Sequence, residues 1–110
     1  MSVPRVRVCG VTDVPEGGAR RVVVDGREIA VVNLGPAGFR AVGAVCSHAQ
    51  YYLDEGEVDP ELETIECPKH GSTFDLNTGR PKTLPATIPV PVYDVTVEGD
   101  DVLIEVNGDG

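Results

Sequence analysis

Cys46-Ser47-His48 and Cys67-Pro68-Lys69-His70 place two cysteine-histidine pairs in a chain that has only three cysteines and two histidines. The spacings are C-x-H and C-x2-H, and residues 49–66 separate them. A thiolate is a soft anionic donor and a neutral imidazole a borderline one, so the four side chains complete one metal site. Such a set suits a tetrahedral zinc ion, or a 2Fe-2S cluster with one iron held by sulfur and the other by nitrogen. Core packing gives no reason to match a cysteine with a histidine twice. Cys9 stands apart: it closes an apolar run, has no histidine beside it, and reads as a buried structural thiol.

The elements that must position these pairs are short and β-rich. Arg5 to Cys9 alternates, Arg21 to Val24 and Glu28 to Val32 flank an Asp25-Gly26 turn, and Phe39 to Val45 follows Gly35-Pro36-Ala37-Gly38. Together they predict a meander. Thr64 to Cys67 and Ser72 to Asp75 are further strands, bracketing the second pair. Val90 to Val97 and Asp101 to Val106 face each other across Glu98-Gly99-Asp100, where Gly99 can take the positive φ of a tight turn. Thirteen glycines and nine prolines among many short runs, with no long amphipathic helix, predict an all-β sandwich or barrel.

Composition bounds what such a site serves. At 110 residues the chain is one domain with one modest core. A formal charge of -9 argues against nucleic acid or an acidic membrane surface as partner. Three cysteines make no disulfide framework, and neither a long apolar segment nor a signal peptide is evident, so the expected location is cytoplasmic. Asp54, Glu55, Glu57, Asp59, Glu61, Glu63 and Glu66 form a run without a base, readable as a solvated loop or as a docking surface. Lys69, Arg80 and Lys82 are basic residues near the pairs in sequence.

The paired motifs resemble those of the Rieske 2Fe-2S family, in which a first loop carries C-x-H and a second C-x2-H. Ser72-Thr73-Phe74-Asp75-Leu76-Asn77-Thr78-Gly79 is similar to the stretch after the second histidine, and Leu84-Pro85-Ala86 to a third, proline-containing loop over the cluster. Residues 3–106 share the likeness, which is nearest to small soluble bacterial Rieske ferredoxins, including the ferredoxin components of ring-hydroxylating dioxygenases. It implies a single domain over 1–110, a small cluster-binding portion inserted at about 45–74, and one 2Fe-2S cluster on Cys46, His48, Cys67 and His70. Ser72, Phe74 and Pro85 would surround it. Function would be one-electron transfer from a flavoprotein ferredoxin reductase to a terminal oxygenase or other oxidoreductase, without catalysis by the chain itself. A nitrite reductase small subunit and a ferredoxin of iron-sulfur assembly are alternatives within the resemblance, and a structural zinc-binding interaction domain is one outside it.

The chemistry of the resemblance is specific. Two ferric ions, two sulfides and two thiolates sum to zero, whereas four thiolates would leave the oxidised centre at -2. Replacing two thiolates by imidazoles therefore raises the potential toward the range of about -150 to +300 mV. High-potential members carry a further cysteine in each loop, joined as a disulfide, where this chain has Tyr51 and Lys69. They also often have a tyrosine at the position of Phe74, its hydroxyl bonded to a cysteine sulfur. Both departures imply the lower part of the range, although Ser72 keeps a hydroxyl able to bond a sulfide. Metal and labile-sulfide analysis of purified protein separates the two chemistries. Two irons and two sulfides per chain with a red-brown colour are expected, and one zinc without labile sulfide would refute the cluster.

Overall fold

The computed structural model describes residues 5–46, 51–69, 71–84 and 86–105. Among the described residues ten strands form in the order β1 (Arg5–Gly10), β2 (Ala19–Val24), β3 (Arg27–Asn33), β4 (Phe39–Gly43), β5 (Val58–Asp59), β6 (Thr64–Glu66), β7 (Thr73–Asp75), β8 (Val92–Tyr93), β9 (Val95–Glu98) and β10 (Asp101–Glu105). They pair antiparallel in three sheets, ordered β1-β10-β9, β2-β3-β4-β8 and β5-β6-β7. The architecture is sandwich-like, and the described residues form no closed barrel. No helix of the described residues is long and apolar enough to cross a membrane.

The four-stranded sheet lies between two apolar clusters. Side chains alternate across a strand, so Ile29 and Val31 of β3 join Cys9, Val24, Tyr93, Val102 and Ile104 on one face. Ala30 and Val32 join Leu53, Ile65, Phe74 and Leu76 on the other. All four β3 residues are fully buried, which explains why Ile29–Val32 is an unbroken apolar run instead of an alternating one. β4 divides the same way, Ala41 to the first cluster and Val42 to the second. Full burial of each Val, Leu or Ile contributes about 1.5–3 kcal/mol.

Most expected strands form, with instructive differences. Asp25 (φ 51°) and Gly26 (φ 78°) are both left-handed, the geometry of a two-residue hairpin turn between β2 and β3. β2, β3 and β4 are a meander, but β1 is not part of it. It pairs with β10, where Arg5 meets Glu105 at 3.1 Å and Arg7 meets Asp101 at 2.7 Å. The expected strand from Val90 to Val97 is two strands in different sheets. β8 pairs with β4 and β9 with β10, the chain crossing between layers at Asp94. The β4 ladder ends at Gly43, leaving Val45 in an isolated bridge to Tyr52. β5 carries too few residues to show a period and is not legible in the sequence.

A polar cluster fastens the segment after residue 50 to the middle sheet. The Arg21 guanidinium lies 3.5 Å from the Tyr52 ring centroid, and the Tyr52 hydroxyl donates to Glu28 at 3.3 Å. Arg21 also stands 3.9 Å from Asp54 and 4.0 Å from Glu55, both in a single 3-10 turn, Leu53–Glu55. Asp54 Oδ1 is buried and makes no hydrogen bond among the described residues. Desolvation pushes the Asp54 carboxyl up, against the opposing pull of Arg21.

Gly79 has φ 78°, and a Cβ there would overlap the Val90 carbonyl, whereas Gly26 has the same φ and open space. Gly79→Ala should cost about 1–3 kcal/mol in urea unfolding and more than Gly26→Ala; equal midpoints would contradict the packing. A carboxyl raised on folding binds its proton more tightly when folded, so its ionised form opposes folding above its folded value. That penalty is absent below the unfolded value. Asp54→Asn should therefore be at least as stable as the parent at pH 7, with any advantage shrinking as pH falls through the acid range. A deficit at pH 7 that disappears in acid would show that the Arg21 attraction dominates instead.

Candidate metal centre

Each cysteine of the two pairs opens a loop that backbone hydrogen bonds close. The Cys46 N–H donates to the Tyr51 carbonyl at 2.8 Å, and beyond it the Leu53 N–H donates to Ala44 at 2.7 Å. The first loop is thus held at its neck by a short antiparallel ladder that includes the Val45–Tyr52 bridge. The second loop joins β6 to β7. Beyond the Glu66–Thr73 pair, the Cys67 N–H donates to Ser72 at 2.7 Å and the Gly71 N–H to Cys67 at 3.1 Å, with Gly71 at φ 76°. A left-handed glycine reverses the chain there at little conformational cost.

Both thiols face inward. Cys46 is 3% exposed and Cys67 1%, neither is in a disulfide, and they share one core cluster with Leu53, Ile65, Phe74 and Ala86. Two residues distant in sequence therefore bring soft donors to one apolar region. Among the described residues no three acidic, histidine or cysteine side chains form a metal-binding group. His48, His70 and Pro85 lie outside the described residues. Cys9 belongs to the other cluster, where burial, and after it Asp13, pushes its thiol up, as expected of a structural cysteine.

A third segment fastens onto the second loop. The Lys82 N–H donates to the Thr73 carbonyl at 2.7 Å, the Thr73 N–H to Thr83 Oγ1 at 2.8 Å, and the Ala86 N–H to Ser72 Oγ at 3.1 Å. Ser72 is fully buried, and accepting from Ala86 occupies a lone pair while leaving the hydroxyl proton able to be donated. Phe74 is fully buried in the cluster of both cysteines, and no hydroxyl stands at its place. Leu84, next to Pro85, is 77% exposed. Two buried thiols and a buried hydroxyl against an apolar wall fit a sulfide-bridged iron centre, which needs soft anionic ligands and tolerates few water contacts.

Charges around this region sort differently from the sequence pattern. The acidic run is dispersed: Asp54 turns in toward Arg21, and Asp59 Oδ1 accepts the Glu61 and Leu62 N–H groups at 3.1 Å. Glu63 accepts from Arg40 at 3.1 Å and from Asn77 at 2.9 Å. Tyr51 and Lys69 meet, with Lys69 Nζ 5.5 Å from the Tyr51 ring centroid. Neither this contact nor the Arg21–Tyr52 contact has a sequence signal, because each joins residues that no periodicity relates.

Comparison with known proteins agrees with the geometry. The Rieske [2Fe-2S] domain matches residues 4–94. The 3-phenylpropionate/cinnamic acid dioxygenase ferredoxin subunit of Escherichia coli (strain K12) is 42% identical over 101 residues, 92% of either chain. Among solved structures, the ferredoxin of carbazole 1,9a-dioxygenase from Nocardioides aromaticivorans IC177 superposes with TM-score 0.88 and 39% identity, covering 94% of this chain and 98% of that one. The Sphingomonas yanoikuyae B1 ferredoxin does so with TM-score 0.85 and 32% identity, covering 94% and 100%. With two inward thiols on hydrogen-bonded loops and these likenesses along nearly its whole length, the chain belongs to the Rieske [2Fe-2S] family, as an electron-transferring ferredoxin related to the ferredoxin subunits of ring-hydroxylating dioxygenases.

Proposed function

We propose that Cys46 and Cys67 ligate one iron of the 2Fe-2S cluster, that His48 and His70 ligate the other, and that the chain passes single electrons from a flavoprotein reductase to a terminal oxygenase. The observation that carries this reading is the burial of Cys46 and Cys67, from separate loops, in one apolar cluster. His48 lies two residues beyond Cys46 and His70 three beyond Cys67, so each imidazole belongs to a loop whose neck is tied at its cysteine. Residues of about 45–74 serve as the cluster-binding portion of a single domain over 1–110, and the β5-β6-β7 sheet supplies their scaffold.

When bound, the cluster accepts and releases one electron at a potential raised by neutral imidazole ligands. The chain's own contribution is environment. Phe74, Leu53 and Ile65 exclude water from the thiol side, and Ser72 holds a hydroxyl proton within that dry region. Ala86 and Ser72 bind the third segment to the second loop, which supports Pro85 as part of the cluster's cover and Leu84 as an exposed apolar neighbour for a partner. Relatives named as dioxygenase ferredoxin components support a reductase and an oxygenase as the two partners.

Ligand identity is testable through the potential. His48→Cys and His70→Cys should each lower the midpoint potential if a cluster assembles, because a thiolate adds negative charge where a neutral imidazole stood. Protein-film voltammetry with matched absorption spectra checks it. An unchanged spectrum and potential in either variant would remove that histidine from the ligand set.

A further inference from the structure

Two adjacent tyrosines close the first loop, and each ring carries a cation from a different part of the molecule. Tyr52 takes Arg21 of β2 at 3.5 Å, and Tyr51 takes Lys69 of the second loop at 5.5 Å. Consecutive residues on an extended segment project to opposite sides, so the pair reaches in two directions from one short ladder. One contact ties that ladder to the middle sheet. The other crosses from the first cysteine loop to the second.

We propose that Tyr51 and Lys69 are positioning residues, a noncovalent staple that fixes the spacing of Cys46 and Cys67 and so retains the cluster. The proposal rests on the ligand reading above. Tyr51 is joined to Cys46 through the hydrogen bond from the Cys46 N–H to the Tyr51 carbonyl, at 2.8 Å. Lys69 lies two residues after Cys67, inside the turn closed by the Cys67–Ser72 and Gly71–Cys67 hydrogen bonds. Each end of the staple therefore springs from backbone that is tied to one cysteine or lies in its turn. The hydrogen bonds of the second loop run within it and to the segment at Lys82–Ala86, whereas the contact of Tyr51 with Lys69 runs from one cysteine loop to the other. An ammonium held within about 6 Å of a tyrosine ring is attracted by the negative face of the ring. Tyr51 is 41% exposed and Lys69 is exposed, which keeps the ammonium hydrated and the attraction modest.

A modest attraction between loops should show in how long the cluster is kept, not in whether the chain folds. The test is the rate at which EDTA bleaches the visible absorbance of the holoprotein, compared among Tyr51→Leu, Lys69→Met, their double variant, Tyr51→Phe and Lys69→Arg. Each truncation should bleach about two- to five-fold faster than the parent. The double variant should bleach no faster than the faster single one, since one contact is lost in all three. Tyr51→Phe and Lys69→Arg, which keep a ring and a cation, should retain the parental rate, and far-UV melting should be unchanged throughout. Parental rates in both truncations would overturn the staple, as would multiplied accelerations in the double variant. Failure of the ligand reading is seen separately, as a parental spectrum and potential in His48→Cys or His70→Cys.

Discussion

Burial of β3 and β4 on both faces is the constraint on which the rest of this structure depends. One face of the middle sheet completes the sandwich with β1, β9 and β10, and the other forms the wall behind Cys46 and Cys67. A change at Val31 or Ala41 is felt in the sandwich, and one at Val32 or Val42 in the wall of the candidate centre. Alternation along a strand divides these duties residue by residue. The candidate metal-binding portion is therefore not an appendage on a finished domain: it shares a core with the sheet that carries it.

Loop closure follows from that arrangement. β4 runs out of its ladder at Gly43, continues through the Val45–Tyr52 bridge, and delivers Cys46 to the neck of the first loop. β6 and β7 deliver Cys67 and Ser72 to the neck of the second, where the two are hydrogen-bonded to each other. Short ladders hold the ends of each loop, and the proposed imidazole donors, His48 and His70, lie two and three residues beyond Cys46 and Cys67 in sequence. Preorganisation of this kind limits the conformational entropy lost when ligands gather on a cluster.

Much of this was legible in the sequence because the signals are local. Paired C-x-H and C-x2-H spacings single out the proposed donors, of which Cys46 and Cys67 are buried in one cluster, Asp25-Gly26 identifies a turn, and Glu98-Gly99-Asp100 identifies the β9–β10 hairpin, with Gly99 at φ 62°. What was not legible is nonlocal or very short. Nothing in Arg5–Gly10 says that its partner is β10 instead of β2, because the strand it pairs with, Asp101–Glu105, is almost the whole sequence away. The division of Val90 to Val97 between two sheets depends on which neighbour each half meets. The acidic run looked uniform in sequence, yet Asp54, Asp59 and Glu63 have different partners once folded. The placements of His48, His70 and Pro85 lie outside the described residues, so their roles rest on sequence position and family resemblance.

The proposed centre is asymmetric, with protein sulfur ligands on one iron and nitrogen ligands on the other. Mössbauer spectroscopy of the oxidised protein loaded with 57Fe reads the two sites directly, because an iron with four sulfur neighbours and one with two sulfurs and two nitrogens differ in isomer shift. Two doublets of equal area are expected, and a single doublet containing all the iron would contradict the account.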